Sequence, residues 1–410
     1  VSKIIPHDNW VQGSNNIAPR GQLPVGYRTG TRFIREGVNV DILNGGEIDG
    51  RIGYARIFAA TVGRGLLGIG SELIYGSGTD IISYNVDSGA TKTLVGSTPN
   101  AKLIGTVHAG ELFMQRGSAK FRYKDGVIRR WGVETVVIQP TVTATTDGAL
   151  EAGTYKIAAT VVNPYGEESG TLASKTVDIS ANGKMTLTNL PTTPADGVVR
   201  VYVSHANGAT LYLQAEVAPG ATVVVNSIDS HSLTLDTQFC IEPPTGTALT
   251  SHHGSILVTE GKALWIMNPM RPHLCRMATG FLQYPLEITN VVSVDPGVYI
   301  TADQTYWVTD IETDHPAQQA VLGIGAVAGT ALPTTEGATW MTEFGQAVAG
   351  DGGKVELPNK NSYAPVLADN AVAGIVRREG LELAVTVMGD NRRGNSMAMS
   401  DYYDVEVIGP

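Results

Sequence analysis

A strand–turn–strand pattern recurs along this chain and limits its fold more than any other feature. Ser71-Glu72-Leu73-Ile74-Tyr75, Gly110-Glu111-Leu112-Phe113-Met114, Gly261-Lys262-Ala263-Leu264-Trp265 and Asp303-Gln304-Thr305-Tyr306-Trp307 each set a turn residue and a polar residue before an apolar or aromatic run. Each follows another apolar run, at residues 66–69, 103–107, 255–258 and 297–300. Two such runs joined by a turn read as a β-hairpin. Hairpins repeating at about 40-residue spacing are the pattern of propeller blades. The second and third copies lie far apart, and the residues between them carry a different pattern. The expected fold is therefore all-β: a β-propeller-like array of about six blades, interrupted by a second domain.

The rest of the chain fits around that frame. Residues 1–60 form an arginine-dotted entry or assembly segment, in which Val38-Asn39-Val40-Asp41-Ile42-Leu43 alternates as a half-buried strand, Asn44-Gly45-Gly46 is a turn, and residues 51–58 are the next strand. Residues 61–138 hold two blades, the second with the Asp125-Gly126 hairpin signal. Residues 241–388 resume the blades with weaker later copies, and residues 389–410 supply a closing strand. Between them, residues 139–240 carry about seven short strands at roughly ten-residue spacing, as in an immunoglobulin-like sandwich. Its strongest strand, Gly153-Thr154-Tyr155-Lys156-Ile157-Ala158-Ala159-Thr160-Val161-Val162, runs into Asn163-Pro164-Tyr165-Gly166-Glu167-Glu168-Ser169. This phrase resembles fibronectin type III modules, where an equivalent strand enters an Asn-x-x-Gly-Glu-Ser turn. The insert has no cysteine between 139 and 239, which excludes an antibody-type inter-sheet disulfide.

Composition supports strands over helices. The chain has 410 residues, 42% of them hydrophobic, with 48 glycines and only 17% charged residues, against about 25% in ordinary globular chains. Few charges beside many β-branched residues imply either a Thr/Ser/Gly-rich wet surface or a subunit whose faces are buried in an assembly. A net charge of −10 argues against a phosphate-gripping surface, because DNA affinity comes mostly from Lys and Arg. An acidic lining would let DNA pass without retaining it. Cys240 and Cys275, the two cysteines, make no disulfide framework. The start, Val1-Ser2-Lys3-Ile4-Ile5-Pro6, has no signal-peptide pattern, and no run of 18 apolar residues spans a membrane. The sequence-level expectation is synthesis in the cytoplasm.

The usual catalytic signatures are weak. Gly63 to Gly70 is glycine-rich but precedes a hairpin rather than a helix, so it lacks the amide fan that holds phosphate and reads as close strand packing. His252, His253, His273 and Cys275 are the metal-capable cluster. Adjacent histidines on a strand face opposite sides, and no further ligands stand at fixed spacing, so no metal is expected. Thr334-Thr335-Glu336-Gly337-Ala338-Thr339-Trp340 approaches the sialidase Asp-box, but Glu336 replaces Asp and the spacing is one residue short. Asp303, Asp310, Asp314 and Asp351 are candidate acids without a visible pairing. No cofactor and no enzymatic activity are expected. A glycan-binding or glycan-hydrolysing propeller is the alternative. Arg20, Arg28, Arg32, Arg35, Arg51 and Arg56 are the candidate subunit or adaptor interface, because arginine's planar fork suits interfaces.

Asn15-Asn16-Ile17-Ala18-Pro19, Leu23-Pro24 and Arg35-Glu36-Gly37-Val38-Asn39-Val40-Asp41-Ile42 resemble the opening of tail nozzle or hub proteins (tail tubular protein B-like) of short-tailed bacteriophages. The blade pair at residues 255–269 and 288–308 is similar to theirs, and the likeness spans most of residues 10–310. The resemblance implies a virion protein assembled in the host cytoplasm, forming a homohexameric ring around a channel for double-stranded DNA. Its other surfaces would meet the head-to-tail adaptor and the fibres or spikes, with the sandwich projecting outward as a contact module.

Overall fold

The computed structural model describes residues 10, 12–18, 32–34, 40–42, 48–50, 60, 63–192, 196–313, 315–368, 370–378, 381–389 and 403–408. Among them the regular elements are β-strands, apart from one 3-10 turn at Asp351–Gly353. Contacts divide the chain into one unit of residues 61–283 and another of residues 1–60 with 284–410.

The sheets are antiparallel and mostly simple meanders. Near the N-terminus β1 (Val40–Ile42) pairs with β2 (Ile48–Gly50). The unit of residues 61–283 opens with β3 (Gly63–Ile69), β4 (Glu72–Ser77), β5 (Asp80–Asn85) and β6 (Thr91–Val95) in sequence order. A second meander follows: β7 (Leu103–His108), β8 (Glu111–Arg116), β9 (Ala119–Lys124) and β10 (Val127–Arg130). The recurring motif of the sequence forms the β3–β4 and β7–β8 hairpins, and Gly110 takes φ +76° at the second turn.

The intervening module has seven strands: β11 (Thr141–Leu150), β12 (Gly153–Val162), β13 (Lys175–Ile179), β14 (Gly183–Thr188), β15 (Val198–Ser204), β16 (Leu211–Val217) and β17 (Val223–Val225). They form two sheets, ordered β11-β14-β17 and β13-β12-β15-β16. Alternation decides which face is apolar: Ile157 and Ala159 of β12, Val199, Val201 and Val203 of β15, Met185 and Leu187 of β14, and Val223 and Val225 of β17 share one core. The opposite face of β12 and β15 carries Ala158, Thr160, Arg200 and Tyr202, with Ala158 opposite Tyr202 and Thr160 opposite Arg200.

The chain then returns to a larger sheet. It contains β18 (Cys240–Ile241), β19 (Ala248–His252), β20 (Ser255–Glu260), β21 (Ala263–Asn268), β22 (Arg271–Arg276) and β23 (Phe281–Gln283), with β23 beside β21.

Neighbouring sheets of this unit interlock through buried polar groups. Arg116, wholly buried, donates to the carbonyls of Ala101, Asp80 and Gly78 and to the Thr98 hydroxyl, tying β8 to the first meander. Gln115 donates to the Pro244 carbonyl and accepts from the Gly246 amide, and the Trp131 indole donates to the Pro272 carbonyl. Trp131 also meets Phe113 edge-on at 5.3 Å, a favourable aromatic geometry. Gly65 has φ +85°, and a Cβ there would collide with the Leu103 carbonyl oxygen. The glycine-rich run is thus close strand packing, as its sequence implies.

The other unit contains β24 (Asn290–Val294), β25 (Gly297–Thr301), β26 (Thr305–Thr309) and β27 (Ala317–Leu322) in one meander. Next come β28 (Leu332–Thr334), β29 (Gly337–Thr342), β30 (Gly345–Ala349) and β31 (Val355–Glu356). A final sheet holds β32 (Asn370–Arg378), β33 (Leu381–Gly389) and β34 (Tyr403–Ile408). β34 pairs with β33, so the C-terminal strand extends the hairpin before it. Tyr299 packs against Trp307 and Trp340 with tilted rings in one buried cluster, and its hydroxyl donates to the Gly350 carbonyl. The Asn15-Asn16 element docks here: Asn16 exchanges two side-chain hydrogen bonds with the Ala364 backbone, each 2.9 Å, and the Asn15 side chain accepts from the Ala18 amide.

Candidate functional site

Among the described residues, an array of paired charged side chains lies in the unit of residues 61–283, where the seven-stranded module meets the second meander and the β18–β23 sheet. β12 ends in a turn whose shape is set by Asn163: its side-chain oxygen accepts from the amides of Tyr165 and Glu167. This local bonding is why Asn suits the position. It delivers two adjacent carboxylates in opposite directions.

Glu168 turns toward the polar face of its own module. It accepts from Thr160 at 2.5 Å, Tyr202 at 2.7 Å and Arg200 at 2.8 Å. Arg200 also donates to Glu216 at 2.8 Å. Burial works against the Arg200 charge, but its hydrogen bonds to Glu216 and Glu168 prevail and hold it more firmly protonated than usual. Burial, followed by the Glu168 bond and charge, pushes the Tyr202 hydroxyl well above the normal range, so it remains a donor.

Glu167 turns toward the neighbouring sheets. It pairs with Arg122 of β9 and accepts from Asn163 at 2.8 Å, and His273 of β22 approaches to 3.9 Å. Arg122 also bonds Glu111 of β8 and lies 4.8 Å from the Phe113 ring centroid. Arg129 of β10 approaches Glu111 at 3.6 Å and covers the Tyr165 ring at 4.6 Å. Burial raises the Glu111 carboxyl, but Arg122, Arg129 and Lys124 outweigh it and leave the group below its ordinary value. Burial is the largest influence on His273 and holds it neutral to lower pH; the Glu167 charge opposes this, while Arg122 and Arg271 add to it.

Beside this joint is a polar cavity of about 140 Å³, lined by Gly166, Glu168, Arg200, Thr237, Arg271 and His273 among others. Arg271 reaches Asp236 at 2.8 Å. Buried ion pairs of this kind add little net stability, because the cost of desolvating the charges offsets their attraction.

The residues singled out by sequence have varied fates. Arg32 is exposed, while Arg20, Arg28, Arg35, Arg51 and Arg56 lie outside the described residues, as do residues 51–58, the 44–46 turn, Asp314 and residues 391–395. His252 and His253 do not face opposite sides: their rings stack at 3.9 Å. The cause is the β19–β20 turn, where His253 (φ +41°) and Gly254 (φ +85°) bend the chain so that His253 has left the strand. His273 faces Glu167, whereas the Cys275 thiol contacts the carbonyls of Ile266 and Gly280. Both cysteines are free and buried, and burial pushes the Cys275 thiol up to about 12. The near Asp-box, residues 334–340, places Thr335-Glu336 in the exposed turn between β28 and β29 and its remainder largely in buried β29, and Thr335 bonds Glu382. Asp303 accepts from Tyr306, Asp310 accepts from Thr309 in its own turn, and Asp351 is exposed in the 3-10 turn. Glu167 and Glu168 are in the sequence reading only as part of a turn. The available signal was two adjacent carboxylates in a charge-poor chain.

No family model matches the chain, and no curated protein matches it. Among solved structures it is similar to the computationally designed Ika8 protein, with 10% identity, 84% of this chain and 96% of that chain covered, and a TM-score of 0.29. It is also similar to BBS1N in complex with ARL6DN, with 11% identity, 82% and 87% covered, and a TM-score of 0.31. For PorZ of Porphyromonas gingivalis the identity is 11%, the coverage 78% and 54%, and the TM-score 0.24. Likenesses this distant carry no argument about fold family or function.

Proposed function

We propose that the chain is a structural virion protein, a tail nozzle or hub subunit of a short-tailed bacteriophage. In this reading the meanders are successive blades of a propeller, and the seven-stranded module is a fibronectin III-like sandwich inserted between them. Six copies form a ring that serves as a DNA exit channel and a platform for the adaptor and fibres. The observation that carries the reading is the order of the elements: two meanders, the two-sheet module, then further meanders. That is the order implied by the resemblance of residues 10–310 to tail nozzle proteins. The ionic joint supports a mechanical role. Glu167 and Glu168 engage groups from the module and the neighbouring sheets, so the insert is braced at several points. The net charge of −10 suits passage of DNA without retention.

The test is particle composition. Protein mass spectrometry of purified virions from the source should find this chain in stoichiometric amount, encoded beside portal and capsid genes. A chain absent from the particles and encoded far from any such genes would overturn the reading.

A further inference from the structure

We propose that the outer edge of β27 is a strand-addition surface, which takes an extended segment from a second copy of this chain. The inference rests on the assembly proposed above and names the surface through which the copies join. β27 ends its sheet and, among the described residues, pairs with β26 alone, from Ala317 opposite Thr309 to Leu322 opposite Thr305. A strand with one neighbour turns the N–H and C=O groups of alternate residues away from it. Among the described residues no backbone hydrogen bond reaches that side of β27, and Ala317, Gln318, Gln319 and Ala320 are all exposed. The result is an open hydrogen-bonding row about 20 Å long, at roughly 3.4 Å per residue.

The side chains of this edge set it apart from its counterparts. A strand edge left to water ordinarily carries charges or proline, or is very short, because these features block the pairing of a foreign strand. The last strands of the other three four-stranded sheets follow that rule. β6 carries Lys92, β10 carries Arg129 and Arg130, and β31 is two residues long and includes Glu356. β27, Ala317-Gln318-Gln319-Ala320-Val321-Leu322, is the longest of the four and has no charge, proline or glycine. Its edge is built to be covered by an added strand, as in other β-augmentation. Charge argues for a second copy as the source. Each chain carries −10, so copies repel as they approach. A ladder of backbone bonds on an uncharged strand adds nothing to that repulsion, and the Gln318 and Gln319 amides can donate to and accept from the added strand. β27 of one copy joined to a different segment of the next is a heterologous contact, which closes into a ring when repeated by rotation.

The test combines hydrogen–deuterium exchange with native mass spectrometry of the full chain over a dilution series. The amides of residues 317–322 should exchange quickly in the monomer and about tenfold more slowly in the assembled form. The double variant Gln319→Lys, Ala320→Lys puts a charge on each face of the strand and should raise the concentration needed for assembly by about tenfold or more. Adding the same two charges to β6, as Thr91→Lys with Thr93→Lys, should leave assembly unchanged, and far-ultraviolet circular dichroism checks that both variants fold. Assembly that survives the β27 charges, or exchange at 317–322 that does not slow on assembly, would overturn this edge as the interface and leave the ring standing. Slow exchange already present in the monomer would show that the chain covers the edge itself and would also overturn it. A wild-type chain that stays monomeric throughout would remove both the ring and this surface.

Discussion

His273 sits where three modules of one unit meet, so its ionisation reports on their packing. Burial and the charges of Arg122 and Arg271 lower its proton affinity in the folded chain, with Glu167 opposing them. The unfolded chain therefore takes up this proton first as pH falls. Stability is fully present above about pH 6.5 and is lost as pH drops from there toward the depressed folded value. The slope from one group is at most about 1.4 kcal/mol per pH unit. Urea unfolding at pH 7.5 and 5.5 should show a lower midpoint at the acidic pH, and His273→Gln should flatten that difference; an unchanged slope in the variant would contradict the assignment. The joint was barely visible in the sequence for a physical reason. Glu167 meets Arg122 across 45 positions, and Glu168 meets Arg200 across 32. Local pattern reveals the Asn163 turn that presents both carboxylates, but their partners come from strand registers of separate modules.

Elements were more legible because the period-2 alternation is local. The strand expected at residues 153–162 is Gly153–Val162, and each of the seven strands expected in the insert has a counterpart. Less visible was the polar interlock between sheets. Arg116 reads as a surface or interface residue by type, yet it is wholly buried and donates to three backbone carbonyls. Arg116→Met would remove the donors that those buried carbonyls receive from the guanidinium. It should destabilise the unit by about 3 kcal/mol, read from denaturant midpoints, since each orphaned group costs about 1–3 kcal/mol. Gly65 makes the complementary case, where the sequence signal was clear. Gly65→Ala combines a positive φ with a backbone collision at Leu103, and a loss of about 1–3 kcal/mol is expected in the same assay. Wild-type stability in either variant would show that the meanders do not interlock as described.

At the scale of the molecule, the all-β character and the repeated hairpins were readable because each copy carries its own turn and apolar strand. A fold alone does not define a function. The proposed assembly joins the order of the sheets to the resemblance of residues 10–310, the low charge fraction and the ion pairs of Glu167 and Glu168. Closed rings of identical subunits use one heterologous interface repeated by rotation, so a six-copy ring has a definite mass and symmetry. Native mass spectrometry with electron-microscopic class averages of the purified chain is the most direct test. The account predicts a species six times the 43.3 kDa chain with six-fold averages and a central opening. A monomer that persists at every concentration tested would contradict it.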